Sequence, residues 1–374
     1  MIITVVAMLA VSLRRPCAHQ LLTRSSRALS MSLTPRDVEL VAAAAKAKRA
    51  QPLVLPPRLS PTAVSAFKEC PQLFLFRNLW KLPEPPSPVL NKGILVHSAL
   101  EKVFELPPAE RKARLHDVLR DEWRAQRSKP PRGREDDTPL VDLLFATREE
   151  ERKWGQECLA LLDNYLAAED PAALPLGEPL AHEAWLSATL DTESHAPGSQ
   201  RLPPLAMVGK VDRLDCSSAD GDQGLVIVDY KTGRAPEQKY SALTNWRIRR
   251  KNFFQLRCYA LLLARGGLDA GGAPAESGPR LARKLRLLYL ADGADGGATS
   301  IEEALPPPED EAAYKEELDA TEAEVVAVWA EIVALVARGE PEAFEHCDRS
   351  FCQCHQLRPI VFGTEGVGTL PKTR

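Results

Sequence analysis

Two apolar segments that end in charged residues decide the fold: MVGKVDRLD at residues 207–215 and LVIVDYKTG at residues 225–233. Both are rich in β-branched residues, and small turn-forming residues separate them, which predicts two strands joined as a hairpin. Pairing of these strands would bring Asp212 towards Asp229. Because alternate side chains of a strand share a face, Lys231 would point the same way as Asp229. The pattern therefore predicts two carboxylates and one ammonium group in one small volume.

Such a cluster is costly unless another charge balances it, because close carboxylates raise each other's pKa and burial discharges a lysine. A divalent cation removes this cost, and Mg²⁺ is typically bound by one or two carboxylates together with substrate phosphate. The metal would activate water and offset charge on a phosphorus centre, while Lys231 orients the water or steadies the oxyanion. The alternative is a surface ion pair at a hairpin end. The Val-Ile-Val run before Asp229 indicates buried strands and favours a functional site.

The composition is that of a globular protein. The chain has 374 residues, of which 44% are hydrophobic and 26% charged, enough for one large domain or two small ones. Its formal net charge of −3 gives no global basic field, so nucleic-acid binding would have to use a local patch. No apolar run is long enough to span a bilayer, which argues against a membrane partner.

The N-terminus has the composition of a targeting signal. Residues 1–36 contain no Asp or Glu but carry five arginines among Ser, Thr and Leu, which is typical of an organelle transit peptide. This predicts a chloroplast or mitochondrial protein. The alternative is a disordered extension with Met31 as the true start, and then an intracellular soluble protein. Residues 37–57 are predicted to form a helix and a Pro-rich linker that leads into the folded part.

Two predicted helices each carry a pair of polar residues one turn apart. His97 and Glu101 lie on one face of an apolar helix, and Gln255 and Tyr259 lie on one face of the helix predicted for residues 252–264. A histidine inside an apolar helix is more often a core residue than a ligand. The second pair suits a helix packed on the sheet with its polar residues turned towards the site.

A dense basic cluster follows the hairpin and comprises Arg247, Arg249, Arg250 and Lys251, with Trp246 interleaved. Beside a candidate hydrolytic site, such a cluster is predicted to bind the phosphates of a DNA backbone. The alternative is a solvated helix face.

The C-terminal segment 346–355 contains Cys347, Cys352 and Cys354. Three cysteines within eight residues are typical of a metal site and not of a disulfide pattern in an intracellular protein. Together with Cys70, they could form a four-thiolate site for an iron–sulfur cluster or zinc. The alternative is a set of unpaired surface thiols.

Five motifs in this order resemble the RecB-type nucleases of the PD-(D/E)XK superfamily, especially the standalone RecB-like exonucleases. They are LSPTAVSAFKECP (59–71), GILVHSALE (93–101), GKVDRLD (209–215), VDYKTG (228–233) and QLRCYALLL (255–263). The resemblance covers residues 58–363 and leaves residues 364–374 as a tail. It implies an α/β fold with a restriction-endonuclease-like core, in which helices flank a central mixed β-sheet, and with added N- and C-terminal helical parts.

The resemblance also implies the roles of individual residues. It assigns the metal to His97, Asp212 and Asp229, and an imidazole ligand makes Mn²⁺ plausible beside Mg²⁺. The residues that it assigns to catalysis are Lys231, Asp212, Asp229, Gln255 and Tyr259.

Members of this family often carry a 4Fe-4S cluster held by one early cysteine and three late ones. Cys70 matches the early position. The late spacing here is C-x₄-C-x-C, whereas the family pattern is C-x₂-C-x₅-C. An intact cluster, a zinc site that includes a histidine, and loss of the cluster all stay open.

The function expected from these features is that of a metal-dependent DNA nuclease that hydrolyses phosphodiester bonds. An exonuclease directed at single strands or ends, in repair or recombination, fits best. No Walker-type nucleotide-binding motif occurs, so any helicase would be a separate partner. Two alternatives stay open: a non-catalytic DNA-end-binding module with a structural metal cluster, and a structure-specific endonuclease.

Overall fold

The computed structural model describes most of the chain. The described residues are 33–131, 137–175, 177–195, 201–216, 224–266, 281–291, 297–307 and 309–363. The predicted targeting peptide (1–36), apart from its last four residues, and the predicted tail (364–374) lie outside them. Within the described part, no helix combines the length and apolarity needed to cross a bilayer.

The centre of the fold is a mixed five-stranded sheet with the order β1-β2-β3-β4-β5. Its strands are β1 (Ala181–Leu190), β2 (Leu205–Cys216), β3 (Leu225–Lys231), β4 (Ala282–Tyr289) and β5 (Thr299–Ala304). All neighbours are antiparallel except β3 and β4, which are parallel. A parallel pair needs a crossover connection, here a helix. The antiparallel pairing of β2 with β3 confirms the predicted hairpin.

Helices cover both faces of the sheet. They are α1 (Pro35–Arg49), α2 (Pro61–Glu69), α3 (Pro71–Phe74), α4 (Pro88–Val103), α5 (Pro108–Arg127), α6 (Leu140–Leu144), α7 (Arg148–Ala168), α8 (Ala242–Arg265), α9 (Glu311–Arg338) and α10 (Cys354–Phe362). A π-helical turn, Leu75–Leu79, follows α3, and a short 3₁₀ turn, Pro341–Ala343, follows α9. The mixed sheet, its helical layers and the helical parts at both ends confirm the predicted α/β fold class.

Alternate residues of β3 pack into two different cores. Leu225 and Ile227 join the larger core with helices α1, α2, α8, α9 and α10, whereas Val226, Val228 and Tyr230 join the smaller core with α4, α5 and α7. A strand that is covered on both faces has an unbroken apolar sequence instead of an alternating one. The Val-Ile-Val run is therefore explained by its central position.

Several boundaries differ from the sequence-based expectation. Residues 142–168 have the apolar spacing of one long helix, but they belong to two, because Phe145 is extended and the Thr147 hydroxyl caps α7 by accepting from the Glu150 N–H. Helix α8 begins at Ala242 and not near residue 252, with Ser241 as its cap. Its first turns are exposed and show no apolar stripe, so periodicity could not find them.

The N-terminal helix packs onto the C-terminal one. Val41 and Ala45 of α1 are buried in the larger core. The Arg49 guanidinium donates to the Val361 carbonyl oxygen of α10 at 3.1 Å. The helix predicted within residues 37–57 is thus an integral layer of the described fold.

Candidate active site

The end of β3 brings an acid and an amine together. Asp229 and Lys231 lie on one face of the strand, and Lys231 Nζ is 2.6 Å from Asp229 Oδ2. Asp229 is only 3% exposed. The Lys231 ammonium group therefore pairs with a carboxylate oxygen that is buried from solvent. A carboxylate at this position offers oxygen atoms of the kind that Mg²⁺ prefers as ligands.

Asp212 lies where β2 and β3 separate. Backbone pairing of the two strands runs from Cys216 to Arg213 on β2. One residue further, the Asp212 carboxylate accepts from the backbone N–H of Tyr230 at 2.8 Å. His97 on α4 approaches the same carboxylate, with its Nδ1 3.4 Å from Asp212 Oδ2. Helix α4 and the hairpin thus bring together His97 and Asp212, whereas Asp229 does not join them in a group of ligand atoms that all lie within 4.8 Å of one another.

The electrostatics of the site are those of an unbalanced cluster. Burial and the nearby charge of Asp212 raise the pKa of Asp229 to about 6, although Lys231 opposes this. Burial lowers the pKa of His97, but its hydrogen bond to Asp212 and the surrounding carboxylates outweigh that effect and raise it overall. A divalent cation bound here would offset the charge that the clustered carboxylates carry at neutral pH.

A third acid, Glu183 on β1, lies at this site and was missed by sequence analysis. One potential ligand atom from each of His97, Glu183 and Asp212 lies within 4.8 Å of the other two. Burial raises the pKa of Glu183, and the charge of Asp212 adds to the effect. Lys210 contacts the Glu183 carboxylate. The local sequence signal is the alternating segment EAWLSATL (183–190), which indicates a strand but does not say which strand lies beside it.

Helix α8 supports Lys231 through a chain of polar contacts. Lys231 Nζ donates to Gln255 Oε1 at 3.3 Å, and Gln255 Nε2 donates to the Tyr259 hydroxyl at 2.7 Å. The Tyr259 ring in turn lies against Gly209 of β2, where a Cβ would be 2.5 Å from Tyr259 Cε1. Only glycine allows this close approach, which explains the glycine of the GKVDRLD motif.

The predicted basic cluster lies on the N-terminal half of α8, where most of its cations have acidic partners. Arg249 pairs with Glu303 at 3.1 Å, and Lys251 with Glu69 at 2.7 Å. Arg250 lies about 4 Å from Glu317 and Glu324 (3.9 and 4.0 Å). Within the described part of the chain, Arg247 has no ion-pair partner. The four residues are therefore not equivalent candidates for binding phosphate.

A groove of about 560 Å³ runs between the basic face of α8 and helix α2. Lys231 and Gln255 of the candidate site line it together with Trp246, Arg247 and Lys251. The Trp246 side chain is 56% exposed. The groove thus joins Lys231 of the candidate site to an exposed aromatic ring and to a cation, Arg247, that is free of ion pairs among the described residues.

The four predicted cysteines also come together. The Sγ atoms of four cysteines all lie within 4.8 Å of one another: Cys70, Cys347, Cys352 and Cys354. Hydrogen bonds from Cys354 and from the Leu73 N–H outweigh burial and lower the pKa of Cys70 to about 5. Neither neighbouring histidine belongs to this group in the described structure, and the unusual late spacing has not separated the cysteines.

The fold and the acid–amine cluster at the end of β3 are those expected of a nuclease, and a family match agrees. The model of the PD-(D/E)XK nuclease superfamily matches residues 58–357. The chain therefore belongs to the PD-(D/E)XK nuclease superfamily, whose members are nucleases that typically use divalent metal ions. This confirms the resemblance at the level of the superfamily, while the RecB-type assignment stays a prediction. No curated protein matches the chain significantly.

Two solved structures are similar to the chain at low identity. One, named as a candidate exonuclease from Eubacterium rectale, is 10% identical with a TM-score of 0.40, over 87% of this chain and 93% of that one. The other, SSO0001, is 11% identical with a TM-score of 0.27, over 76% of this chain and 83% of that one. These scores are too low to add to what the family match supports.

Proposed function

We propose that this nuclease is a metal-dependent deoxyribonuclease that acts on single-stranded DNA or DNA ends, as an exonuclease in repair or recombination. The observation that carries the proposal is the meeting of Asp212, Asp229, His97 and Lys231 where β2 and β3 separate. Any helicase that supplies single strands would be a separate chain.

His97, Asp212 and Asp229 would hold the metal, since carboxylate and imidazole groups are the ligands that Mg²⁺ and Mn²⁺ take. A bound divalent ion supplies a Lewis acid that activates water and offsets charge on the phosphoryl group. Lys231, held by Asp229 and Gln255, would orient the attacking water or donate to a phosphate oxygen. The water oxygen bonds to phosphorus as the ester bond breaks, and the water proton ends on the leaving oxygen.

The groove beside Lys231 favours a single strand as substrate. Unpaired bases stack on exposed aromatic rings while cations contact the backbone, and stacking is worth roughly 1–3 kcal/mol per base. Trp246 and Arg247 offer one group of each kind beside the catalytic lysine. A duplex hides its base faces, so Trp246 would contribute little to duplex binding.

Cleavage of labelled linear and circular DNA in Mg²⁺ or Mn²⁺ tests this proposal. We expect linear single strands to be degraded from an end, circular ones to survive, and Asp229→Ala to abolish cleavage. Cutting of circles would favour the structure-specific endonuclease. DNA binding without any metal-dependent cleavage would favour the non-catalytic end-binding module.

We further propose that Cys70, Cys347, Cys352 and Cys354 bind one structural metal centre that ties α3 to the C-terminal segment. Cys347 Sγ and Cys354 Sγ are 3.9 Å apart. Thiolates around a tetrahedral zinc, with bonds of about 2.3 Å, lie about 3.8 Å from one another. A 4Fe-4S cluster is larger and would need the four sulfurs to move apart. Metal and sulfide analysis of anaerobically purified protein, with its absorbance spectrum, distinguishes the two centres.

A further inference from the structure

Only two of the six tryptophans in the chain are exposed, Trp185 on β1 and Trp246 on α8, and the structure describes all six. Trp246 lines the groove and lies 6.0 Å from the Arg250 guanidinium. Trp185 is 53% exposed and has neither a hydrogen bond nor a ring contact to any described residue. A single exposed apolar residue is common on proteins, so the surroundings of Trp185 decide what its exposure means.

The strand register places Trp185 beside the candidate active site. Trp185 pairs with Lys210 of β2, and side chains directly opposite each other on antiparallel strands lie close together, with Cβ atoms about 4.5–5.5 Å apart. Lys210 Nζ contacts the Glu183 carboxylate and lies 3.8 Å from Glu101 Oε1 on α4. Only one lysine therefore separates the exposed indole from the carboxylates of the site.

The two exposed indoles belong to opposite faces of the sheet. Gly209 of β2 faces Tyr259 of α8. Because successive residues of a strand point to opposite faces, Lys210 and its partner Trp185 face away from α8. Trp246 lies on α8 itself.

The candidate active site reaches both faces. On one face, Lys231 donates to Gln255 of α8. On the other, Glu101 of α4 lies beside Lys210, and His97 is one turn before Glu101 on the same side of that helix. A DNA strand that leaves the groove and crosses the site would continue onto the face where the indole of β1 is exposed.

We infer that Trp185 is a second base-stacking residue, which holds the substrate strand on the side of the scissile phosphate opposite Trp246. The inference rests on the proposed function and extends it. Every base has a π-face, so stacking on an indole accepts any sequence. A strand with a stacked base on each side of the reacting phosphate is less free to shift along the site, which positions that phosphate for attack. A duplex hides its base faces, so the two rings together select an unpaired strand.

A cycle that removes the side chain and the base in turn tests this assignment. Trp185→Thr removes the ring but keeps a residue that suits a strand, and Trp185→Phe keeps a ring. Fluorescence anisotropy measures binding of labelled single strands, intact or lacking one base at a chosen position, to the full chain in the inactive Asp229→Asn background. We expect Trp185→Thr to weaken binding of the intact strand roughly fivefold to a hundredfold, the equivalent of one stacked base, and Trp185→Phe to weaken it less. At one position, loss of the base should weaken binding when Trp185 is present and have no effect in Trp185→Thr.

Trp246→Ala is the matched comparison, and it should remove the sensitivity to base loss at a different position of the strand. Unchanged affinity in Trp185→Thr, or an equal loss at every position that lacks a base, would overturn the inference. A parallel fall in Mn²⁺ affinity, measured by calorimetry with Asp229 intact, would also overturn it, because Trp185 would then support the neighbouring acids instead of a base. Failure of the proposed function looks different, since the protein with both indoles intact would then bind no single strand.

Discussion

The β2–β3 hairpin carries two clusters of charged side chains that differ in how they are balanced. The buried ion network consists of Arg213, Glu169, Asp215, Arg286 and Tyr230. Arg213 is 1% exposed and donates to both oxygens of Glu169, to Asp215 and to the Tyr230 hydroxyl, at 2.8–3.2 Å. The candidate active site takes Asp212, Asp229 and Lys231 from the same two strands.

In the buried ion network, two guanidinium groups face two carboxylates. Burial raises the pKa of Glu169, but Arg213 and Arg286 outweigh it and lower the pKa overall. Burial still raises the pKa of Asp215, which meets only Arg213 through one oxygen. This cluster neutralises itself without an external ion, as buried charges require.

The active site does not neutralise itself. Its three carboxylates, Asp212, Asp229 and Glu183, face two ammonium groups, Lys231 and Lys210. The pKa of Asp229 is raised, in contrast to that of Glu169. The β2–β3 hairpin thus contributes to a buried network in which opposite charges balance. Beside it, the same hairpin contributes to a candidate active site whose excess negative charge favours binding of a cation.

The largest effect is expected from Arg213→Met. It would leave Glu169 and Asp215 buried without their main partner, and breaking a buried pair in this way costs about 3–5 kcal/mol. Denaturant unfolding, with the midpoint and slope both recorded, measures the change. The control is Arg152→Met, which breaks a solvent-exposed pair with Glu149 and should change the free energy of unfolding very little. Equal effects would mean that the network is not a structural centre.

Asp229→Asn should do the opposite and stabilise the metal-free protein while abolishing cleavage. The folded-state pKa, about 6, exceeds the ordinary value of 3.8, so ionised Asp229 destabilises the fold at neutral pH. Removing that charge should raise the free energy of unfolding by about 1–3 kcal/mol at pH 8, less what is lost with the Lys231 contact. The gain should shrink as pH falls through 6 and vanish below about 4. Unfolding curves across this pH range, in chelator, provide the measurement. A gain that is independent of pH would contradict the imbalance of charge.

The sequence was sufficient for the site residues that lie close together along the hairpin. Asp229 and Lys231 are two residues apart in one strand, and the turn brings Asp212 to them, so alternation and pairing fix their meeting. Glu183 and Glu169 were out of reach. Glu183 depends on the register of β1 against β2, and Glu169 on where the end of α7 docks, and neither is encoded locally.

For the fold as well, locally encoded features could be predicted and features that depend on distant contacts could not. The apolar run of β3 and the long periodic helices were predictable, whereas β5 alternates half-buried and exposed residues in a short TSIEEA segment at the sheet edge. Cys347, Cys352 and Cys354 converge with Cys70 although their spacing departs from the family pattern. The cysteines come together because of the turns between them, and the spacing of cysteines along the sequence does not predict those turns.

Gly209→Ala should disturb the candidate active site through the Tyr259 ring and leave the buried ion network unchanged. The added methyl group would meet the Tyr259 ring, so the ring must move, at a cost of about 1–3 kcal/mol. Since Tyr259 holds Gln255 and Gln255 holds Lys231, we expect kcat to fall with little change in Mn²⁺ affinity. Unfolding and single-turnover cleavage measure both effects. Gly155→Ala on α7, where nothing lies within 4 Å, is the control and should be neutral or stabilising. Unchanged kcat in Gly209→Ala would show that Tyr259 does not position the lysine.

The smallest expected effects concern the basic face of α8, where the same contrast between balanced and unbalanced charge recurs. Arg249 is already paired with Glu303, whereas Arg247 lines the groove without an ion pair to any described residue. Arg247→Gln should therefore weaken binding of single-stranded DNA and reduce the slope of log affinity against log salt by about 1, with no change in stability. Arg249→Gln should leave that slope unchanged and lower the free energy of unfolding by no more than about 1 kcal/mol. Fluorescence titrations at several salt concentrations with a catalytically inactive Asp229→Asn background separate the two. If both substitutions reduced the salt slope equally, a cation's existing partner would not decide whether it binds phosphate, and the distinction drawn from the hairpin would not extend to this surface.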